Sequence, residues 1–186
     1  MTVFLDLLGS WVIRASLITV MLTLTVNMNN ALYQSNQQAT ANKLIVAVDS
    51  IIYSDLNIAG YNVSGTTFQS GTNDSTVLCY GDINGGGVPE TIKYWTSYDN
   101  STGLRKLYRY VNNENGGVDL LLGKNFTKVT FLYYDAIGNQ TSTLANIVAI
   151  RVRLTAQVSN KTSSAYSDLT KSSTVSTDFQ IHPANL

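Results

Sequence analysis

The chain has little proline, cysteine, histidine or charge, and each shortage excludes something. Its single cysteine, Cys79, cannot form an intrachain disulfide. A lone histidine, His182, and that one cysteine give little basis for a catalytic triad, so we expect neither an enzyme nor a bound cofactor. Charged residues make up only 13% of the chain and their net charge is zero, which leaves no electrostatic footprint for nucleic acid.

Proline is absent before Pro89, so no residue forces a break in the long stretch that precedes it. This stretch predicts one helix of about 57 residues over residues 2–58, closed at Gly60 where a left-handed C-cap forms most easily. At 1.5 Å per residue such a helix is roughly 85 Å long, whereas a domain of this size is only ~30–40 Å across. Much of the helix must therefore be buried by something other than its own globular part.

The first 26 residues contain 16 large apolar side chains and only two ionisable ones, Asp6 and Arg14. A secretory signal is disfavoured because no cation precedes Arg14 and the apolar run continues directly into an amphipathic one. A transmembrane anchor has the required length of ~20 residues. Each of the two charges, however, would cost ~2.5–3.5 kcal/mol at the bilayer centre.

The third hypothesis is a helix that starts in a membrane and then packs against copies of itself in a helical homopolymer. Burying the 16 apolar side chains would contribute roughly 25–50 kcal/mol per subunit before entropy is counted. Asp6 would pair with the terminal ammonium or Arg14 of a neighbouring subunit and so fix the register. The residues expected in this helix core are Phe4, Leu5, Leu8, Trp11, Val12, Leu17, Met21 and Leu24.

Residues 27–60 form the second half of the same predicted helix, and their pattern is amphipathic. The apolar stripe is strongest over residues 44–59, where we expect the rest of the chain to dock. The expected docking residues are Ile45, Val48, Ile52 and Ala59. Polar residues, Asp49 and Asp55 among them, are predicted to lie mainly outside this stripe.

From residue 61 onward the hydrophobic period changes to two, which predicts a β-rich head domain over residues 61–186. The predicted strands are residues 76–80, 91–96, 104–111, 119–122, 129–134, 147–158 and 175–181. A long polar loop over residues 159–173 is expected to contact other subunits. Strands without an intervening helix indicate an α+β fold, in which an antiparallel sheet packs on the C-terminal half of the long helix.

Six N-x-S/T sequons lie in the head domain and none lies in the helix. They begin at Asn62, Asn73, Asn100, Asn125, Asn139 and Asn160. Two interpretations stay open: an extracellular, glycosylated surface, or chance in a chain rich in Asn, Ser and Thr.

Residues 81–87 begin like a calcium-binding D-x-N-x-[DN]-G loop, with Asp82 and Asn84 as the weak candidate ligands. Gly86 replaces the third oxygen ligand, and Lys93 stands at the twelfth position where glutamate would bind. A glycine-rich turn is therefore favoured here, and no metal is expected.

Three sequence features together resemble a known family. An apolar N-terminal helix with an acid near its start leads into an amphipathic half and then a β-rich domain. The segment Ser54-Asp55-Leu56, followed by Ala59-Gly60-Tyr61, is similar to the helix end of W/J-type minor pilins and pseudopilins, and residues 179–186 are similar to their C-terminal ending. The chain thus resembles the type IV pilin and pseudopilin superfamily, with Asp6 as the sixth residue where that family has glutamate as the fifth.

The resemblance implies a pilin-like fold, residence in the inner membrane before assembly, and a pilus assembly machinery as partner. We therefore expect a structural subunit of an extracellular type IV pilus-like filament at the cell surface, which polymerises with identical subunits through its apolar helix. Glycans are added as partners under the first of the two interpretations of the sequons. Two alternatives stay open. One is a minor pseudopilin of a secretion or pilus system, and the other is a membrane-anchored monomeric surface binding protein.

Overall fold

The computed structural model describes residues 2–112, 117–160, 171–184 and 186. Within these ranges the chain forms one long helix followed by six strands. The elements are α1 (Thr2–Asn57), β1 (Thr76–Gly81), β2 (Glu90–Asp99), β3 (Leu104–Val111), β4 (Leu120–Tyr134), a 3₁₀ helix (Leu144–Asn146), β5 (Ala149–Asn160) and β6 (Lys171–Ile181). The chain divides into two compact units, a leading unit (Met1–Ala39) and a head unit (Thr40–Leu186).

Helix α1 is continuous from Thr2 to Asn57, as the absence of proline predicts. Just beyond it, Gly60 has a φ of 87°, the left-handed conformation expected of a helix-ending glycine. The N–H of Gly60 donates to the carbonyl oxygen of Tyr80 at 2.9 Å. The C-terminal end of the helix is thereby fastened to strand β1.

The six strands form a single sheet in chain order, each antiparallel to the next. Cys79 pairs with Ile92 between β1 and β2, and Trp95 pairs with Tyr108 between β2 and β3. The period-two pattern buries one face of the sheet, and the helix packs on that face. One long helix on a six-stranded antiparallel sheet confirms the predicted α+β class.

The separation of residues 119–122 and 129–134 into two strands was wrong, because both belong to the 15-residue strand β4. The intervening Gly123 and Asn125 have the composition of a turn. Asn125 does adopt a left-handed φ of 70°, and the pairing with β5 shifts between Phe126 and Lys128. The extra residues are accommodated as a bulge, which bends a strand without ending it.

The long loop predicted over residues 159–173 was also wrong at both ends. Strand β5 continues to Asn160 and β6 begins at Lys171, and these two residues pair with each other. Polar residues suit such a ladder because the strand extension needs only backbone hydrogen bonds. The middle of the predicted loop, residues 161–170, lies outside the described residues, as does any intersubunit contact it would make.

The core of the head unit lies between the last third of α1 and the inner face of the sheet. Residues of α1 spaced three and four apart are buried there together with Ala59, which lies just beyond the helix: Ala41, Ile45, Val48, Ile52, Leu56 and Ala59. The four residues expected to dock the head are among them. They face fully buried sheet residues such as Tyr94, Leu107, Phe131, Ile150 and Leu154. Burial of such side chains, at ~1.5–3 kcal/mol each, holds the helix on the sheet.

Candidate assembly surface and head anchor

The apolar segment, defined as residues 7–28, exposes every large apolar side chain it contains. Trp11 is 72% exposed and Met21 is 70% exposed. Three successive large apolar residues occur at 11–13 and again at 20–22. Because successive residues are ~100° apart around a helix, they cover all of its sides. A helix that is apolar all round is suited to burial in protein or lipid rather than to a surface facing water.

The structure places the residues expected in a helix core on this surface. Exposed side chains of the segment include Leu8, Trp11, Val12, Leu17, Met21 and Leu24. The side chains of Phe4 and Leu5, also expected there, lie outside the described part of the structure.

Hydroxyl groups on the segment are satisfied within the helix itself. Those of Ser16, Thr19, Thr23 and Thr25 donate to carbonyl oxygens of the preceding turn at 2.8–2.9 Å. A hydroxyl bonded in this way can enter apolar surroundings without losing its hydrogen bond. These four hydroxyl groups therefore add little desolvation free energy when the segment is buried.

One charge, Arg14, lies within the apolar segment and another, Asp6, directly precedes it, and both side chains are exposed. They lie eight residues apart, or roughly 12 Å along the helix axis, and form no ion pair within the described residues. An unpaired charge in apolar surroundings is expensive. A partner for each charge is thus a requirement of any environment that buries the segment.

Part of α1, from Asp6 to Asn57, is long and apolar enough to cross a membrane, and it alone qualifies among the described residues. Its most apolar stretch has a mean hydropathy of 1.7 and no buried residues. This property is compatible with membrane anchoring and with a pilin-like role.

A buried ionic cluster that the sequence analysis missed joins α1 to the sheet. Asp55 of α1 accepts hydrogen bonds from Arg109 of β3, with Nε–Oδ2 at 2.6 Å and Nη2–Oδ1 at 3.2 Å. The hydroxyl of Tyr94 in β2 donates to the same carboxylate. The Asp55 and Arg109 side chains are only 6% and 9% exposed. Placing Asp55 outside the docking stripe was therefore wrong, because its paired carboxylate is buried among the docking residues.

The environment of this cluster keeps Tyr94 protonated. Burial raises the pKa of its phenol well above the ordinary value, and the nearby Asp55 charge raises it further, while Arg109 partly opposes both. The phenol therefore remains a hydrogen-bond donor throughout the physiological pH range. The sequence does contain a signal for this ion pair. Leu107, Arg109 and Val111 alternate along β3 and so point to the same buried face of the sheet, where the charge of Arg109 needs a partner of opposite charge.

The described sequon asparagines are all on the surface. Exposed side chains are those of Asn62, Asn73, Asn100, Asn125 and Asn139, whereas the side chain of Asn160 lies outside the described part. The side-chain amide of Asn62 donates to Asp82 Oδ2 at 2.7 Å. These five sequons therefore begin at the surface of the head unit.

Asp82 and Asn84 lie in the turn between β1 and β2, and Glu90 closes that turn. In the described residues no three or more His, Cys, Asp or Glu side chains are grouped so as to hold a metal ion. Burial raises the pKa of Asp82, but hydrogen bonds from Asn62 and from the backbone of Gly87, Gly86 and Gly85 outweigh it and leave the pKa below its ordinary value. The Asp82 carboxylate is thus stabilised in its charged form.

Comparisons of the chain with protein-family models, with curated proteins and with solved structures return no match. The architecture defines a class, a long apolar N-terminal helix packed on an antiparallel sheet, which is consistent with a pilin-like fold. Functional inference therefore depends on the geometry of this chain.

Proposed function

We propose that the protein is a structural subunit of an extracellular type IV pilus-like filament, whose core forms when the apolar segments of identical copies pack together. The observation that carries this proposal is the contrast between a well-buried head unit and the apolar segment, on which 13 large apolar side chains are exposed. At ~1.5–3 kcal/mol per side chain, burying them would contribute up to roughly 20–40 kcal/mol per subunit before entropy is counted.

In the proposed assembly, one face of the segment contacts a different face of the next copy. Such heterologous contacts generate open helical filaments unless the rotation closes a ring. Asp6 would pair with Arg14 or the terminal ammonium of a neighbour. A buried ion pair of this kind adds little net stability, but it penalises every register that leaves the charge unpaired.

A membrane-anchored monomeric surface protein is the second candidate, because the same segment is long and apolar enough to cross a bilayer. Both candidates bury the apolar segment. They differ in whether identical copies or lipid cover it, so a test must report the neighbours of the helix in the native setting.

Engineered cysteine pairs provide that test, because the native thiol will not interfere. Cys79 is fully buried, and burial raises the pKa of its thiol, so it is a poor nucleophile. One new cysteine is placed within residues 7–14, for example Ser10→Cys, and a second within residues 17–28, for example Thr25→Cys. A panel of such pairs is oxidised on intact cells and separated on non-reducing gels.

In a filament, some pairs should give ladders of covalent multimers, whereas each single variant should give at most dimers. Ala136→Cys, in the exposed turn after β4, is combined with Thr25→Cys as a surface control, and this pair should give no ladder. If every pair remains monomeric on the cell, the filament proposal is wrong and the anchored monomer is favoured. Electron microscopy of sheared surface material checks the same point by showing or lacking fibres.

A further inference from the structure

The turn between β1 and β2 holds two buried acids, Asp82 and Glu90, each only 3% exposed. The ladder pairs Gly81 with Glu90, so Asp82 opens the turn and Glu90 closes it. Neither carboxylate forms an ion pair with a lysine or arginine in the described part of the chain. Hydrogen-bond donors stabilise these two negative charges, and a cation between them would also relieve their mutual repulsion.

Three of the four carboxylate oxygens in this turn have hydrogen-bond donors. Glu90 Oε2 accepts from the N–H of Ile83 at 2.9 Å, and its Oε1 accepts from the side-chain amide of Asn84. Asp82 Oδ2 accepts from the N–H of Gly87 at 2.8 Å and from Asn62. The remaining oxygen, Asp82 Oδ1, is buried and has no hydrogen-bond partner among the described residues. This oxygen is a free acceptor that a cation or a water molecule can occupy, and the spacing of its neighbours decides between the two.

The spacing of the turn places oxygen ligands where a calcium loop has them. Counting Asp82 as the first position, Asn84 is third, Gly87 is sixth and Glu90 is ninth. Calcium loops take ligands from the first, third and ninth positions and need glycine at the sixth for a sharp turn. Gly87 has a φ of 79°, which a residue with a side chain rarely adopts. Lys93 occupies the twelfth position, and the ligand that Glu90 offers at the ninth was not predicted from the sequence.

We propose that this turn binds a Ca²⁺ ion through oxygens of Asp82, Asn84 and Glu90, with backbone carbonyls completing the shell. Asn84 contributes its side-chain oxygen by turning it from the N–H of Gly86, to which it is bonded at 2.6 Å. Calcium accepts six to eight oxygens in flexible geometry, whereas magnesium demands a near-ideal octahedron that an irregular turn does not provide. The proposal concerns the head unit alone and does not require a filament.

The proposed ion would fasten the end of the helix to the sheet. The N–H of Asp82 donates to the carbonyl oxygen of Tyr61 at 3.2 Å, and Asn62 bonds its carboxylate. Both partners belong to the segment that follows α1. Because only two carboxylates contribute, the dissociation constant should lie near 10⁻⁴–10⁻³ M, the range of extracellular calcium modules.

The test uses the full chain in detergent after treatment with a chelator. CaCl₂ and MgCl₂ are titrated separately by calorimetry, and thermal unfolding is followed with and without each salt. We expect Ca²⁺ binding in the stated range, a higher unfolding temperature with Ca²⁺, and at least tenfold weaker binding of Mg²⁺. Asp82→Asn and Glu90→Gln should each weaken Ca²⁺ binding at least tenfold, since each removes a charged ligand.

Two further variants keep the test decisive. Asp135→Asn is the matched control, because Asp135 also accepts backbone N–H groups in a glycine-containing turn, and it should bind Ca²⁺ as the wild type does. Gly86→Asp supplies the missing fifth-position ligand. Its new Cβ would meet only the movable Asn84 side chain, at 2.7 Å from Oδ1, and we expect about tenfold tighter binding.

The calcium site would be overturned if the wild type did not bind at about 10 mM Ca²⁺, a concentration well above the expected dissociation constant. It would also be overturned if Mg²⁺ bound as tightly as Ca²⁺. A third contrary result would be an Asp135→Asn variant that weakens Ca²⁺ binding as much as Asp82→Asn does. If Asp82→Asn does not fold, the wild-type titration and Gly86→Asp still decide the question. None of these readouts depends on polymerisation, so failure here and failure of the filament proposal are distinguishable.

Discussion

At the scale of single residues, the head unit depends on one buried carboxylate. Asp55 accepts from Arg109 and Tyr94, which lie on two adjacent strands. The Arg109 guanidinium binds the Asp55 carboxylate in a bidentate manner, and both groups are almost completely shielded from water. Removing one partner of such a pair leaves the other charge buried and uncompensated, which costs more than the pair contributes.

Asp55→Ala should therefore lower the free energy of unfolding of the head unit by ~3–5 kcal/mol. Tyr94→Phe removes one hydrogen bond and keeps the ion pair, so it should cost only ~1–2 kcal/mol. Urea unfolding of the full chain in detergent, followed by near-ultraviolet circular dichroism, measures both. Asp178→Ala is the control, since Asp178 pairs with Arg151 at 2.6 Å but its side chain is 39% exposed. A loss for Asp178→Ala as large as that for Asp55→Ala would contradict the role of burial.

At the scale of elements, the contact between the end of α1 and β1 positions the helix on the sheet. Gly60 bonds Tyr80, and Gly81 lies so close to the helix end that a Cβ there would sit 2.7 Å from the carbonyl oxygen of Ile58. The clash would be with backbone, so rotation of a side chain could not relieve it. Glycine at position 81 is thus required by the approach of two elements rather than by its own dihedral angles.

Gly81→Ala should force the two elements apart and lower the free energy of unfolding by ~1–3 kcal/mol. Thermal unfolding of the head unit within the full chain measures the effect. Gly9→Ala is the control, because a Cβ at Gly9 meets nothing within 4 Å, and it should leave head stability unchanged. Equal stability of the Gly81→Ala variant would show that the helix end can move away from β1 without cost.

At the scale of the whole molecule, the question is what covers the apolar segment. The segment exposes apolar side chains on all sides of the helix, so it is not stable while surrounded by water. The sequons lie entirely outside this segment, in the part of the chain proposed to form the outer surface of the filament. The proposed division assigns assembly to Asp6 and residues 7–28, and the outer surface to the head unit.

Asp6→Ala should abolish or slow filament assembly while the head unit keeps its unfolding transition, because the change removes only the charge proposed to set the register. Electron microscopy of surface fibres, with thermal unfolding of the same variant in detergent, separates the two effects. Ser10→Ala, a small exposed change on the same helix, serves as the control. Filaments in normal number from the Asp6→Ala variant would remove Asp6 from the mechanism.

The native protein should carry sugar on several of the exposed sequon asparagines. Mass spectrometry of peptides from surface material would then show hexose-containing masses on peptides with Asn100 or Asn139, both in exposed turns. Thr102→Ala removes the first of these sequons without changing the asparagine, and should remove that mass alone. If all sequon peptides were unmodified, the prediction would be wrong, and the six sequons would be explained by the high Asn, Ser and Thr content of the chain.

The sequence by itself determined the extent of the helix, the α+β class and the continuous apolar surface of residues 7–28. These properties follow from local rules, since a missing proline, a period of 3.6 and a period of two act over a few neighbouring residues. The left-handed Gly60 was predictable for the same reason.

Only the tertiary structure decided which distant groups meet. Asp55 and Arg109 are 54 residues apart in the chain, and their pairing depends on how the sheet is laid against the helix. The continuity of β4 through Asn125 depends on hydrogen bonds to neighbouring strands, which overrode the local turn composition. The burial of Glu90 beside Asp82 likewise depends on the β1–β2 register. A residue's local preference is fixed by its neighbours in sequence, whereas the partner of a buried charge is fixed by the packing of the whole unit.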